Sequence, residues 1–135
     1  MARQQLNPAG IAPPFGRYVH GASIDFTDRA LVVTSGQLGM AAVGTIQEDV
    51  GAQADICFGN IGAILAEAGG SSADVLRINA FVTDRADFPV YMAARDRWLE
   101  GVPQVPASTL VIVSGFTRPE FKVEVEVTAA VPLKS

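Results

Sequence analysis

Glu124 is the carboxylate best suited to chemistry in this sequence. It lies in the segment 122–127, where valines alternate with charged residues, so the pattern predicts a strand with three valines on one face and Lys122, Glu124 and Glu126 on the other. If the valines face helices, the charged face is turned to solvent or to a second subunit. Two solvated carboxylates are the simpler interpretation. The functional interpretation makes Glu124 a general acid or base, or the residue that orients a water, at a subunit interface.

Ser108 is of interest because it lies near the start of a predicted strand. Residues 105–113 begin with a proline turn and continue with β-branched residues, a pattern that predicts a buried strand. Rigid backbone at that point can hold a side chain toward a pocket. We expect this strand to form a hairpin with residues 122–127, which would put Glu124 on the strand beside Ser108. The sequence gives Ser108 no candidate base and no nucleophile-elbow motif, which argues against a serine hydrolase.

Several other positions could contribute to a site. Ser35 and Gly36 end a predicted buried strand, and the glycine would let a ligand approach backbone amides, although a simple turn is the commoner role for such a pair taken alone. Tyr18 and His20 alternate on the first predicted strand and would share a face. Such residues more often form a hydrogen-bonded structural pair than a catalytic pair. Cys57 falls near the apolar face of a predicted helix, which favours an inert core thiol.

Hydrophobic periodicity and turn residues predict the elements that must position these side chains. The predicted order is ββ(β)αβαββ, an α+β fold with two helices on one face of a mixed sheet. We expect one domain over residues 1–135, with residues 1–16 forming an irregular arm. The predicted strands cover 18–24, 30–35, 76–82, 105–113 and 122–127, and the predicted helices cover 49–68 and 88–99.

Composition restricts the class of function. Apolar residues make up 49% of the chain and charged residues only 18%, so the surplus apolar surface predicts a homo-oligomer. A net charge of −4 with scattered cations argues against a nucleic-acid partner. One cysteine and one histidine exclude an internal disulfide and argue against a metal centre. The sequence contains no apolar run long enough for a membrane span and no secretion signal, so we expect a cytoplasmic protein without a membrane partner.

Short motifs along the chain carry a family resemblance. They lie at Gly16–Gly21, Val33–Gln37, Leu65–Gly70, Asp74–Arg77, Val82–Asp84, Asp87–Phe88, Val105–Thr109 and Val123–Glu126. In this order and spacing they resemble the Rid family of reactive-intermediate deaminases, also called the YjgF or endoribonuclease L-PSP family. The match covers nearly the whole chain after the arm.

The resemblance implies a chorismate-mutase-like fold of the bacillus type, assembled as a homotrimer with three clefts between subunits. In members that hydrolyse 2-aminoacrylate and related imines, a glutamate matching Glu124 assists the attacking water. A tyrosine matching Tyr18 and the serine and glycine matching Ser35 and Gly36 line the cleft. An arginine after Pro-Ala holds the substrate carboxylate. The resemblance implies no cofactor, because an imine is electrophilic enough for water.

This chain departs from the family pattern after Ala107, where Ser108 occupies the arginine position. A charge-assisted pair with a carboxylate contributes about 1.5–3 kcal/mol, and a hydroxyl cannot replace it. We therefore expect weak or absent activity on 2-aminoacrylate-type imines. Arg17, or Arg95 reaching from the neighbouring subunit, could supply the missing cation. Alternatively, both are surface arginines.

Two classes of function remain open. The first is a Rid-like hydrolase, in which Glu124 assists water and backbone amides near Gly36 and Ser108 stabilise polar substrate atoms. Tyr18 and His20 would orient or protonate the leaving nitrogen. The second is a non-catalytic small-molecule-binding or chaperone-like trimer, which the change at position 108 favours. A ribonuclease, suggested only by an old family label, is disfavoured by the acidic composition.

Overall fold

The computed structural model describes residues 2–133 and contains a mixed β-sheet with two α-helices. Two short 3₁₀ turns, Ser72–Asp74 and Arg85–Asp87, precede β5 and α2. The elements, in chain order, are β1 (Arg3–Leu6), β2 (Gly21–Asp25), β3 (Arg29–Thr34), β4 (Gln37–Leu38), α1 (Val50–Glu67), β5 (Val75–Val82), α2 (Phe88–Trp98), β6 (Ala107–Ile112) and β7 (Val123–Pro132). The predicted α+β class is confirmed.

The sheet is built around β7, the last strand in the chain. The strand order is β1-β2-β3-β7-β5-β6, and the two-residue strand β4 also pairs with β7. Every pairing is antiparallel except that of β5 with β6, which are joined through α2. A strand–helix–strand unit of this kind places its two strands side by side and parallel.

The predicted C-terminal hairpin is therefore wrong. β6 pairs with β5 rather than with β7, and β7 lies between β3 and β5. The physical reason is that α2 returns the chain to the side of β5, so β6 docks there. The connection 113–122 then carries the chain past β5 to the centre of the sheet. Turn residues between two strands cannot reveal this, since pairing order is a property of the whole fold.

The valines of β7 face the helices, as the alternation in the sequence predicts. Val123, Val125 and Val127 are buried, whereas Glu124 and Glu126 are only partly covered. Residues from α1, β3, β5 and α2 complete the same apolar core. Between the helices, the ring of Phe58 stacks on Tyr91 and Trp98 at centroid distances of 5.9 and 5.0 Å.

Helix α1 begins and ends where its boundary residues predict. The side chain of Asp49 accepts a hydrogen bond from the Ala52 amide at 2.9 Å and satisfies one of the free N–H groups of the first turn. Gly69 has φ of +90°, a left-handed conformation that favours glycine, and the Gly70 amide donates to the Leu65 carbonyl. These two caps fix the length of the helix.

Strand β6 is exposed in the single chain, so the prediction of a buried strand is wrong for this subunit. Of its six residues only Leu110 is partly covered, and Val111 is 42% exposed. Among residues 2–133, β6 is the edge strand of the sheet, with β5 on one side and no strand on the other. Its β-branched residues favour a β-strand, but this chain alone does not bury them.

The N-terminal predictions also need correction. The first predicted strand begins at Gly21, so Tyr18 and His20 precede it and do not alternate on it. Within the expected irregular arm, Arg3–Leu6 forms β1 and pairs with β2, with Leu6 buried in the core. One apolar residue in four gives no readable period, so pairing with β2 decides the structure. Met1 lies outside the described residues.

Candidate functional site

A cavity of about 320 Å³ lies between the N-terminal segment, β4, α1 and β7. It brings together five of the residues that the sequence singles out, although they come from distant parts of the chain. Its lining residues are Ala12, Pro13, Phe15, Tyr18, His20, Ser35, Gly36, Gln37, Leu38, Met40, Asn60, Thr117 and Glu124.

Glu124 supplies the acid in this cavity. On β7 it lies opposite Phe81 of β5 and Leu38 of β4, and it is partly buried. No residue that the structure describes donates a hydrogen bond to its carboxylate, whereas Asn79 donates to Glu126 at 3.2 Å. Burial raises the pKa of Glu124, and the negative charge of Glu126 raises it further. Glu124 therefore holds a proton at a higher pH than an exposed glutamate does.

Gly36 allows the Glu124 carboxylate to approach the backbone. A Cβ atom at this position would lie 2.5 Å from Oε2 of Glu124, closer than real contacts permit. The backbone conformation of Gly36 is available to other residues, so space and not strain requires the glycine. The carboxylate of Glu124 and the backbone of Gly36 are thus packed against each other.

His20 has a structural arrangement. Its Nδ1 accepts a hydrogen bond from the amide of Gln37 at 3.1 Å, so Nε2 carries the proton and donates to the Ala12 carbonyl at 2.7 Å. With both nitrogens engaged in a buried network, the ring has no free position for a substrate nitrogen. His20 instead fastens Ala12, one wall of the cavity, to β4. This geometry argues against the predicted role of His20 as a proton donor.

Ser35 and Tyr18 play different parts. The Ser35 hydroxyl donates to the carbonyl of Val19 at 2.6 Å, so it holds the loop that carries Tyr18. The Tyr18 hydroxyl accepts from the Phe15 amide at 3.0 Å, and its own proton remains available to a ligand. The ring of Tyr18 is partly exposed at the cavity.

Gln37 and Asn60 are cavity residues that the sequence reasoning missed. Gln37 is buried, donates to His20 and to the Ser35 carbonyl, and accepts from Asn60 at 3.3 Å. Behind it, the Cys57 thiol donates to the Gln37 carbonyl at 3.1 Å and is fully buried, as predicted for a core thiol. Burial raises the pKa of Cys57. In the sequence, Asn60 could have indicated this part of the cavity, because it is a polar residue beside the apolar stripe of α1.

Ser108 lies away from this cavity. It is opposite Ile78, a core residue, so its side chain is on the helix face of the sheet, whereas Glu124 is on the other face. Two strand spacings and three residues along the strands separate them by roughly 14 Å. The expectation that Glu124 neighbours Ser108 is therefore wrong within one chain, for the same reason that the hairpin is wrong.

Arg95 lies beside Ser108 in the same chain. Its Nη1 donates to the Ser108 hydroxyl at 3.5 Å. The two residues line a second depression, of about 210 Å³, with Asp96, Leu99, Val105 and Pro106. By contrast, Arg17 is exposed and is not among the residues lining either depression, and Ala107 lies opposite Arg77 on the exposed edge strand.

Comparison with known proteins fixes the family. Residues 10–131 match the endoribonuclease L-PSP family. The chain belongs to the Rid family. A protein from Salmonella typhimurium, named 2-iminobutanoate/2-iminopropanoate deaminase, is 32% identical over 124 residues, covering 90% of each chain. A RutC family protein of Haemophilus influenzae is 34% identical over 110 residues, covering 79% of this chain and 78% of its own.

Solved Rid structures share the fold. Escherichia coli TdcF with bound serine superposes with a TM-score of 0.83 at 26% identity, covering 93% of this chain and 97% of that one. RidA from the Antarctic bacterium Psychrobacter has a TM-score of 0.83 at 29% identity, covering 95% and 99%.

Within residues 2–133, no three His, Cys, Asp or Glu side chains are grouped so that they could hold a metal ion. No helix there is both long and apolar enough to cross a membrane.

Proposed function

We propose that this Rid-family chain hydrolyses a small imine or enamine in the cavity that contains Glu124. The observation that carries the proposal is a partly buried carboxylate with a raised pKa and no hydrogen-bond donor among the described residues. Relatives named 2-iminobutanoate/2-iminopropanoate deaminases, at 31–32% identity, support the same reaction class.

The proposed reaction needs only water. Glu124 accepts a proton from a water molecule as its oxygen attacks the C=N carbon. The protonated Glu124 then gives that proton to the nitrogen of the tetrahedral intermediate. A second transfer through Glu124 moves the hydroxyl proton of the intermediate to the nitrogen, and the C–N bond breaks to give a carbonyl compound and ammonia. The Tyr18 hydroxyl can donate to the substrate. An enamine first takes a proton at carbon and reacts as the imine.

We further propose that the working unit is a homotrimer with the cleft between subunits. Support comes from apolar side chains that this chain leaves uncovered on its sheet, including Val33, Leu76 and Val111. In such an assembly the exposed β6 of one subunit, with Ser108 and Arg95, would complete the cleft that contains Glu124 of the next. The cytoplasmic location stays a prediction.

A coupled assay tests the reaction. An amino-acid oxidase generates the imine in the presence of semicarbazide, which traps it as a semicarbazone, and hydrolysis by the added protein competes with trapping and so lowers the rate of semicarbazone formation. We expect turnover with the wild type, a loss of about 10²- to 10⁴-fold for Glu124→Gln, and little change for Glu126→Gln on the same strand. Because Ser108 replaces the family arginine, the wild-type rate should fall below that of an arginine-bearing relative. Equal turnover by wild type and Glu124→Gln would contradict the proposal.

The second candidate is a non-catalytic binding trimer, favoured by the serine at position 108. It predicts that wild-type protein gives no rate above the uncatalysed one while still binding small ligands in the cavity. Calorimetric titration of wild type and Glu124→Gln with 2-oxobutanoate separates the candidates. A change at Glu124 that alters turnover but leaves this binding intact supports the enzyme.

A further inference from the structure

A chain of hydrogen bonds with a fixed direction ends at Asn60 on α1. The Ala12 carbonyl can only accept, so Nε2 of His20 must donate to it, at 2.7 Å. The Ser35 carbonyl can also only accept, so the Gln37 side-chain atom 3.2 Å away must be the amide nitrogen. The same nitrogen donates to Nδ1 of His20 at 3.1 Å. Two backbone carbonyls therefore fix the direction of these bonds.

This chain also sets the orientation of the Asn60 amide. Both hydrogens of the Gln37 amide nitrogen are used, so Gln37 meets Asn60 with its Oε1, which is an acceptor. Asn60 must therefore donate from Nδ2, at 3.3 Å, and its Oδ1 points away from Gln37. One turn earlier on α1, the Cys57 thiol donates to the Gln37 carbonyl at 3.1 Å and holds the helix in place. Asn60 thus presents an acceptor of fixed orientation.

The Oδ1 atom of Asn60 is open to the cavity. Asn60 is half-buried and lines the cavity beside Gln37. Among residues 2–133, only Tyr91 has a side-chain polar atom that is both buried and without a hydrogen-bond partner. Because no residue in that range donates to Oδ1 of Asn60, this oxygen must be accessible. A ligand in the cavity can therefore reach it without displacing a protein group.

The free polar groups of the cavity favour a ligand that carries N–H groups. Oδ1 of Asn60 and the carboxylate of Glu124 are acceptors, whereas the hydroxyls of Tyr18 and Thr117 can donate. The lining residues include no Lys or Arg, so no cation from this chain satisfies the two acceptors there. A nitrogen with two or more hydrogens can donate to both acceptors. A carbonyl oxygen can donate to neither.

We infer that Asn60 is a specificity-determining residue of this cavity: its Oδ1 accepts a hydrogen bond from the substrate nitrogen and so distinguishes the imine from its carbonyl product. The inference rests on the proposed function, because it concerns the same reaction in the same cavity. The hydrogen bond strengthens as the nitrogen acquires hydrogens and positive charge on the way to C–N cleavage, which favours the transition state. The carbonyl product cannot form it, so product release is favoured.

Two ligands with the same carbon chain test the assignment. Calorimetry compares 2-aminobutanoate, which has an ammonium group, with 2-oxobutanoate, which has a carbonyl group. We expect wild type to bind the amino compound about 10-fold or more tightly than the oxo compound, because hydrogen bonds to charged groups are stronger than those between neutral groups. Asn60→Ala should bring this ratio toward one and leave the affinity for 2-oxobutanoate nearly unchanged. In the imine assay, kcat/KM should fall about 10-fold or more.

Asn60→Asp separates contact with the ligand from support of Gln37. This variant keeps an acceptor oxygen but cannot donate to Oε1 of Gln37, so it should keep at least the wild-type preference for 2-aminobutanoate. If Asn60 only supported the hydrogen-bond chain, both variants would lose affinity for both ligands and the ratio would not change. Asp55→Ala is the matched control, since Asp55 is an exposed residue of α1 that does not line the cavity.

The binding ratio also separates this inference from the proposed function. Loss of the preference in Asn60→Ala, with the preference kept in Asn60→Asp and Asp55→Ala, supports the inference even if wild type hydrolyses no imine. If the imine is hydrolysed and Asn60→Ala keeps the wild-type ratio, the inference is wrong and the proposed function stands. Wild type that binds 2-aminobutanoate no more tightly than 2-oxobutanoate also contradicts it. Should circular dichroism show that Asn60→Ala fails to fold, Asn60→Leu, which fills the space without a polar atom, gives the deciding comparison.

Discussion

At the scale of single residues, Glu124 and Glu126 show how position divides two similar carboxylates. Both are on the open face of β7, but Asn79 binds Glu126, and Glu124 has only the cavity and the backbone of Gly36 beside it. Burial without a partner makes the charged form of Glu124 less stable, a cost that a purely structural residue would not need.

The pH dependence of folding should reveal this cost. The pKa of Glu124 is raised above 4.5 in the folded state. At pH values between 4.5 and the pKa of the folded state, the folded protein therefore binds more protons than the unfolded chain does. Stability contributed through this group is present at low pH and falls as pH rises through the folded pKa. Glu124→Gln should therefore melt at a higher temperature than wild type at pH 7, with the difference vanishing at pH 4. A lower melting temperature at pH 7 would contradict the assignment.

Gly36→Ala should separate catalysis from folding. The new methyl group would lie 2.5, 2.6 and 2.9 Å from Oε2, Cδ and Cγ of Glu124, so this flexible side chain must rotate away from Gly36. Displacing a catalytic group by about 1 Å can reduce turnover by about 100-fold. We expect a large fall in kcat in the imine assay with nearly unchanged thermal unfolding. Gly59→Ala, on α1 with open space around it, is the matched control.

At the scale of elements, the strand faces were predictable and the strand order was not. Alternation in residues 122–127 places Glu124 on the face of β7 that points away from the core, because side-chain direction is set by the local backbone. The neighbours of that strand depend on how α2 returns the chain, so the Ser108–Glu124 adjacency was wrong. His20 shows the same limit, since its partners Ala12 and Gln37 lie on both sides of it in sequence.

The cap of α1 gives a prediction for one element. Asp49→Ala removes the acceptor for the Ala52 amide and should reduce the free energy of unfolding by about 1 kcal/mol, whereas Asp49→Asn should lose only part of this. Urea titration at one fixed protein concentration measures the change, because assembly would otherwise shift the midpoint. Equal midpoints for wild type and Asp49→Ala would show that the cap contributes nothing.

At the scale of the whole molecule, the exposed edge strand gives the trimer proposal a direct test. Val111→Asp puts a charge on β6 where the proposed neighbour would cover it, so sedimentation should show a shift from trimer toward monomer. Imine hydrolysis should fall with it, because the cleft would lose one wall. Val43→Asp is the control, as Val43 is 85% exposed in a loop away from the sheet. An unchanged sedimentation profile for Val111→Asp would place the interface elsewhere.

The labelling rate of the Cys57 thiol can report how often the protein opens locally. It is fully buried and bonded to the Gln37 carbonyl, so a thiol reagent can reach it only when α1 and β4 separate. Burial also raises its pKa, which lowers the fraction of reactive thiolate. The labelling rate in native buffer then counts local openings of the wall shared with the cavity. A ligand seated against Gln37 should slow it, which gives a binding signal that needs no turnover.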